Sequence, residues 1–188
     1  MSQEAGQNVN ETVRALRQEF DLSFAQAPQM KMEAPVNFLA IRLEHDAYAI
    51  RVAEIGGLYT DRRIMPLPTP IPELLGIAGF RGQIAPVYDL AALLGYVRQT
   101  PPRWLILMQA REPVALAFDV FEAHFAVLSE RIVTAHGAAE GAVGTSRKYL
   151  FDAVRTDDAI RPIIHLQSLL DNIQRQAALS VRQRSDQS

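Results

Sequence analysis

Gly76–Gly95, GIAGFRGQIAPVYDLAALLG, reads as a strand, a tight turn, a second strand and a short helix. Ile77 to Phe80 is apolar with small residues, and Arg81-Gly82 supplies the turn. Gly82 accepts a positive φ there without steric cost. Ile84, Val87 and Tyr88 mark the second strand, which contains Pro86. Proline donates no ladder hydrogen bond, so the strand is expected to have a free side at Pro86 or to carry a bulge. Asp89 occupies an N-cap position, Leu90, Leu93 and Leu94 form one apolar helical face, and Gly95 ends the helix.

The same pattern returns further along the chain. Ile84–Leu94 matches Ile160–Leu170 as I-x-P-[VI]-[YI]-x-L-x-x-L-L, an offset of 76 residues. An earlier pair matches at an offset of 66: Phe38–Ile41 with Tyr48–Ile50 parallels Trp104–Leu107 with Val114–Leu116. The difference between the two offsets is about the length of the glycine-rich run His136–Thr145, which reads as an inserted loop. Two matches in the same order predict two copies of one small β unit.

The rest of the chain fits around these copies. Val9, Val13, Leu16 and Phe20 recur at helical spacing and predict an amphipathic N-terminal helix, followed by a proline-bounded linker to residue 35. That helix either lies on its own domain or docks a partner. Val36–Leu43 and Ala47–Val52 read as strands, as does Leu58–Arg62. Ile64–Leu75, with four prolines, reads as extended irregular chain. Arg103–Ala110 with Pro113–Phe118 forms a hairpin, as does Lys148–Arg155 with Ile160–Ile164. Asp119–Val133 has a mixed pattern. Leu166–Ile173 reads as helix, and residues 176–188 as a polar tail. The expected organisation is therefore a helix and linker over 1–35 and a double β domain over 36–175, with units of about 36–99 and 100–175.

Composition narrows the function. The chain has 188 residues, 48% of them hydrophobic, a net charge of −2, a pI near 6.1 and no cysteine. The charge argues against nucleic acid as a partner. Without cysteine there is no disulfide, thiolate metal site or thiol nucleophile. No apolar run reaches the length of a membrane span, and the N-terminus lacks an apolar signal core, so a cytoplasmic protein without membrane insertion is expected. None of His45, His124, His136 and His165 stands in a metal-ligand spacing, and His165 fills the helix-start slot that Asp89 fills in the first copy. No serine sits in a G-x-S-x-G elbow, and the Gly-rich loop ends Ser146-Arg147-Lys148 rather than Gly-Lys-Ser. The residues offer no enzyme, cofactor or metal site. They do offer a surface, with Arg81 as its best single residue: a guanidinium at the tip of a tight turn is placed to pair with a carboxylate or to stand in water.

The chain resembles the CheW-like adaptor domain of bacterial chemosensory systems from about Phe38 to Leu170. The strongest parts are Tyr48-Ala49-Ile50, the connector ending in Leu67-Pro68, Gly76-Ile77, and the block from Arg81 through Pro86-Val87-Tyr88-Asp89-Leu90. The resemblance implies a mainly β fold of two intertwined SH3-like five-stranded barrels with short helices. It implies a non-catalytic adaptor between a methyl-accepting chemoreceptor, whose helical hairpin lies in the groove between barrels, and the regulatory domain of a CheA-type histidine kinase. On this reading the partner-binding residues are Arg81, Gly82, Phe80, Gln83, Val87 and Tyr88, with Val52 and Ile55 at the groove. Three departures stand out. Gly79 replaces the family's usual asparagine. The family's Val-x-Glu-Val/Ile glutamate falls at equal spacing on Gly57, while Val52-Ala53-Glu54-Ile55 lies three residues early, so a shifted register and a lost contact both stand. Phe151-Asp152-Ala153 replaces a glycine-rich strand. Alternatives with the same fold are an array-localisation or polar-assembly factor, an adaptor of a surface-motility pathway, and an antagonist that fills adaptor positions without activating.

Overall fold

A computed structural model describes residues 34–98, 100–134, 146–157 and 159–185. The expected N-terminal helix and the loop His136–Thr145 lie outside the described residues.

Eleven strands are described: β1 (Val36–Leu43), β2 (Asp46–Arg51), β3 (Ile55–Thr60), β4 (Leu74–Phe80), β5 (Gln83–Asp89), β6 (Trp104–Met108), β7 (Ala115–Phe118), β8 (Val120–Val127), β9 (Ile132–Thr134), β10 (Leu150–Arg155) and β11 (Ile160–Ile164). Two α-helices, α1 (Leu90–Leu93) and α2 (Leu166–Ser185), follow β5 and β11. The strands form a six-stranded sheet, β8-β1-β2-β11-β10-β9, and a five-stranded sheet, β3-β6-β7-β5-β4.

The internal repeat governs the pairing. β2 runs parallel to β11, with Ala49 opposite Ile163 and Ile50 opposite Ile164. β7 runs parallel to β5, with Ala115 opposite Val87 and Leu116 opposite Tyr88. These are the same positions under the offsets 66 and 76. The correspondence extends to detail: Ile77 faces Pro86 as Ala153 faces Pro162, and both hairpins slip register at equivalent points, Leu74/Gly76 and Leu150/Asp152. Even β9, the sixth strand beside β10, has a counterpart, since Met65 makes an isolated antiparallel bridge to Ile77 on β4. The copies have exchanged their first hairpins. β1-β2 completes the sheet of β8–β11, and β6-β7 completes the sheet of β3–β5.

Each sheet curls on itself. β3 and β4 are the two edges of the five-stranded sheet, yet the Tyr59 and Phe80 rings meet edge to face at 5.0 Å. In the other sheet Glu122, on edge strand β8, binds both Arg42 of β1 and Arg161 of β11. Three apolar clusters follow from this curvature. One fills the five-stranded barrel (Ala78, Phe80, Ala85, Val87), one fills the six-stranded barrel (Phe38, Ala49, Val154, Ile163), and the largest lies between them. The last joins Ile41, Tyr48 and Ile50 to Tyr88, Leu116, Ile164 and the inner face of α2, Leu166, Leu169, Leu170 and Ile173. Fully burying a side chain of this size stabilises by about 1.5–3 kcal/mol, so this shared cluster binds the barrels to one another.

Pro86 occupies a position that does not need its missing N–H. Across from it, Ile77 spends its N–H and C=O on Met65, at 2.9 and 2.8 Å, and the β5–β7 ladder begins only at Val87. Two readings of the sequence need amendment. Asp119–Val133 contains a full edge strand, β8, hidden because a bulge at Glu122, between the pairs Ala40–Ala123 and Ile41–Phe121, breaks its period-two pattern. The helix after His165 does not stop at Ile173. It continues to Ser185 through a stretch with no glycine or proline to end it, so most of the expected polar tail is helical.

Candidate functional site

The hairpin β4-β5 presents its turn to solvent. Arg81 and Gly82 have φ of 48° and 83°, the paired left-handed geometry of a type I′ turn, whose twist suits a two-residue hairpin. Glycine and asparagine enter that region easily; arginine pays about 1–2 kcal/mol. Among the described residues the Arg81 guanidinium has no ion pair, and Arg81, Gly82 and Gln83 are all exposed.

The other expected contact residues of this hairpin divide by face. Phe80 is 1% exposed, Val87 and Tyr88 are also buried, and no partner reaches them in the folded domain. Phe80 and Val87 point into the five-stranded barrel, and Tyr88 into the cluster between barrels. They hold the hairpin rigid rather than forming its contact surface. The residue the sequence reading missed is Ile84, 69% exposed on the outer face opposite Gly79. The alternation of Ala78 and Phe80 inward with Gly79 outward was the available signal.

Val52 opens a 3-10 turn over Val52–Glu54 and Ile55 follows it; both are half-buried and pack on the inter-barrel cluster. Ile55 lies at the far end of β3 from Tyr59, roughly 13 Å along the strand, so the Arg81 turn and the Val52–Ile55 segment are separate places. Glu54 ends the 3-10 turn. Its Oε2 accepts the backbone N–H of Leu166 at 2.8 Å, and its own carbonyl accepts from Gln109. An orphan donor at the start of α2 is thus capped from 112 residues away. Gly57, where equal spacing would put the family's glutamate, sits within β3, and a Cβ there would stand 2.8 Å from the Tyr59 ring. Replacing Glu54 with alanine is expected to cost about 1 kcal/mol, read by chemical denaturation, with faster amide exchange at Leu166. Unchanged exchange at Leu166 would refute the capping role.

His165 starts α2 as expected. Its N–H donates to Tyr149 O and its carbonyl accepts from Leu169. Its Nε2 lies 3.2 Å from Asp152 Oδ2, a carboxylate also bound by Arg51. In the first copy the equivalent Asp89 caps Ala92 N at 3.2 Å and is held by Arg98, which also reaches Asp119 at 3.2 Å. Among the described residues no three His, Asp or Glu side chains are grouped to hold a metal, and no helix is long and apolar enough to cross a membrane.

The fold and site together define a mainly β protein of doubled-barrel architecture, with exchanged hairpins and an exposed turn arginine. The chain belongs to the CheW-like domain family, whose model matches residues 37–174. The fold is also that of the scaffolding protein TtCheW from Thermoanaerobacter tengcongensis. The two share a TM-score of 0.61 and 20% identity, over 70% of this chain and 89% of that one. A search of the curated proteins gives no match.

Proposed function

We propose that this protein is a non-catalytic adaptor that couples chemoreceptors to a CheA-type histidine kinase at a cytoplasmic signalling array. The observation that carries the reading is Arg81: an exposed arginine with no ion pair among the described residues, held in a backbone region costly for it, at the tip of a hairpin whose inner side is locked in a barrel. Strain kept at a rigid, accessible point is characteristic of a binding site. Gln83 beside the turn, and Val52 and Ile55 on the second segment, supply separate places for two partners. Membership of a family of chemotaxis adaptors supports the choice of partners.

Two substitutions test it. Arg81→Glu is expected to reduce capture of the kinase regulatory domain or the receptor tip at least tenfold, with no loss of stability beyond about 0.5 kcal/mol. Arg81→Asn is expected to raise stability by about 1 kcal/mol, since asparagine suits the turn, while also weakening capture. If both variants bind kinase and receptor and support kinase activation as well as the parent chain, the reading is wrong.

A further inference from the structure

We propose that the outer face of β4-β5, with the strap Arg62–Met65 beside it, docks an acidic amphipathic segment of a partner protein. The proposal deepens the adaptor reading and rests on it for the partner being a protein.

Charge is the first argument. Arg62, Arg63 and Arg81 are exposed and, among the described residues, none has a carboxylate partner. They border the same strand pair: Arg62 and Arg63 lead into Met65, which bridges antiparallel to Ile77 on β4, the Arg62 guanidinium lies 5.2 Å above the Tyr59 ring that packs on Phe80, and Arg81 follows Phe80 at the turn. The nearby acid, Asp61, is already engaged by Arg103 and by the Thr60 hydroxyl. Among the described residues these three cations therefore stand without ion-pair partners on a chain whose net charge is −2. Arginine forks bind carboxylates in pairs of parallel hydrogen bonds, and stacking on Tyr59 orders the Arg62 fork in advance.

Apolar surface is the second. Register places Met65, Ile77 and Pro86 in one row and Gly79 and Ile84 in the next. Ala78 and Phe80 point into the barrel, so these rows point out. Met65 is 59% exposed and Ile84 69%. A Cβ built on Gly79 would meet nothing within 4 Å, which leaves an open notch beside Ile84. Cations bordering an apolar ridge with a notch complement a segment carrying carboxylates on one side and aliphatic side chains on the other. Nucleic acid would use the cations and leave the ridge wet.

The test uses the full chain, labelled with nitrogen-15. The probes are a synthetic helical peptide with a glutamate face and a leucine face, its glutamine-for-glutamate counterpart, a DNA duplex, and phosphatidylglycerol vesicles. The acidic peptide is expected to shift the amides of Arg62–Met65, Gly79 and Arg81–Ile84. Its affinity should fall about tenfold in the Arg62→Gln, Arg63→Gln double variant and for the neutral peptide, and severalfold for Ile84→Ser. Shifts confined to other residues, equal binding by the double variant, or tighter binding of DNA or vesicles would overturn the proposal. Kinase and receptor capture separates the two readings. If the double variant captures both partners normally while Arg81→Glu does not, the adaptor stands and this surface falls. If the parent chain captures neither partner yet the peptide maps as expected, the surface stands and the adaptor reading falls.

Discussion

Replacing Arg98 with methionine is expected to lower the unfolding free energy by about 3–5 kcal/mol, the range for a buried charge stripped of its partner. Arg98 binds Asp89 through two nitrogens and Asp119 through a third contact, with side chains only 15%, 5% and 10% exposed. Methionine fills much of the same volume but leaves two carboxylates facing each other with no counter-charge. The helix cap is weakened with it, because the oxygen that receives Ala92 N–H is Asp89 Oδ1, which Arg98 also holds. At about 2–4 °C per kcal/mol for a chain of this size, the melting temperature should fall by roughly 6–20 °C. The deficit should depend on pH. Burial already holds the Asp119 carboxyl above its usual range, against the pull of Arg98. A carboxyl with a raised folded-state pKa favours the folded chain at pH below its unfolded value, and that contribution is lost as pH rises through the folded value. Removing Arg98 raises Asp119 further, so the variant should lie furthest below the parent near neutrality and recover part of the gap as pH falls toward 4. A gap that stays constant over that range would show that the carboxylates are not the source of the loss.

Gly76→Ala is expected to cost about 3 kcal/mol or more, a melting-temperature drop of roughly 6–12 °C. Two causes add. The backbone at Gly76 has φ of 143°, a region closed to side chains, and an added Cβ would lie 2.1 Å from the Met65 carbonyl oxygen. That oxygen is the acceptor for Ile77 N–H, so relief of the clash breaks the bridge that fastens the strap to β4. Since Met65 carries part of the proposed docking face, a variant rescued by low temperature should bind partners poorly even when folded. A drop under about 2 °C would mean that the strap moves freely and that Gly76 is not its anchor.

The repeat at offsets 66 and 76 was legible because each copy keeps its strand proline, its cap position and its apolar helical face. The structure then pairs equivalent positions of the two copies in the same register. What the repeat did not carry was the exchange of hairpins, since a repeat says which segments are alike and not which copy each one pairs with. Asp89 was legible as a cap from its place before Leu90. Its partner Arg98 was not, because nothing in the spacing says that the chain turns at Gly95 and brings the guanidinium back. Likewise Glu54 gave no sign of capping a helix that begins at Leu166. At the candidate site the turn itself was read correctly, but Phe80, Val87 and Tyr88 were grouped with it by adjacency in sequence. Strand alternation turns Phe80 and Val87 into the barrel and Gly79 and Ile84 out of it; Tyr88 shares the outer face with Ile84 and is buried only because the inter-barrel cluster covers it.

The exchanged hairpins have a consequence for how this protein is made. β2 lies beside β11, and Arg51 and Ile160 are separated by more than a hundred residues of synthesis. At roughly 5–20 residues per second, β1-β2 leaves the ribosome many seconds before its neighbour exists. The five-stranded sheet draws all its strands from Ile55–Phe118 and can pair as soon as Phe118 has emerged, whereas β1-β2 must wait for β8–β11. A product cut short after Phe118 therefore holds one sheet's full set of strands and leaves β1-β2 as an unpaired apolar hairpin, the part open to proteolysis until β11 is made.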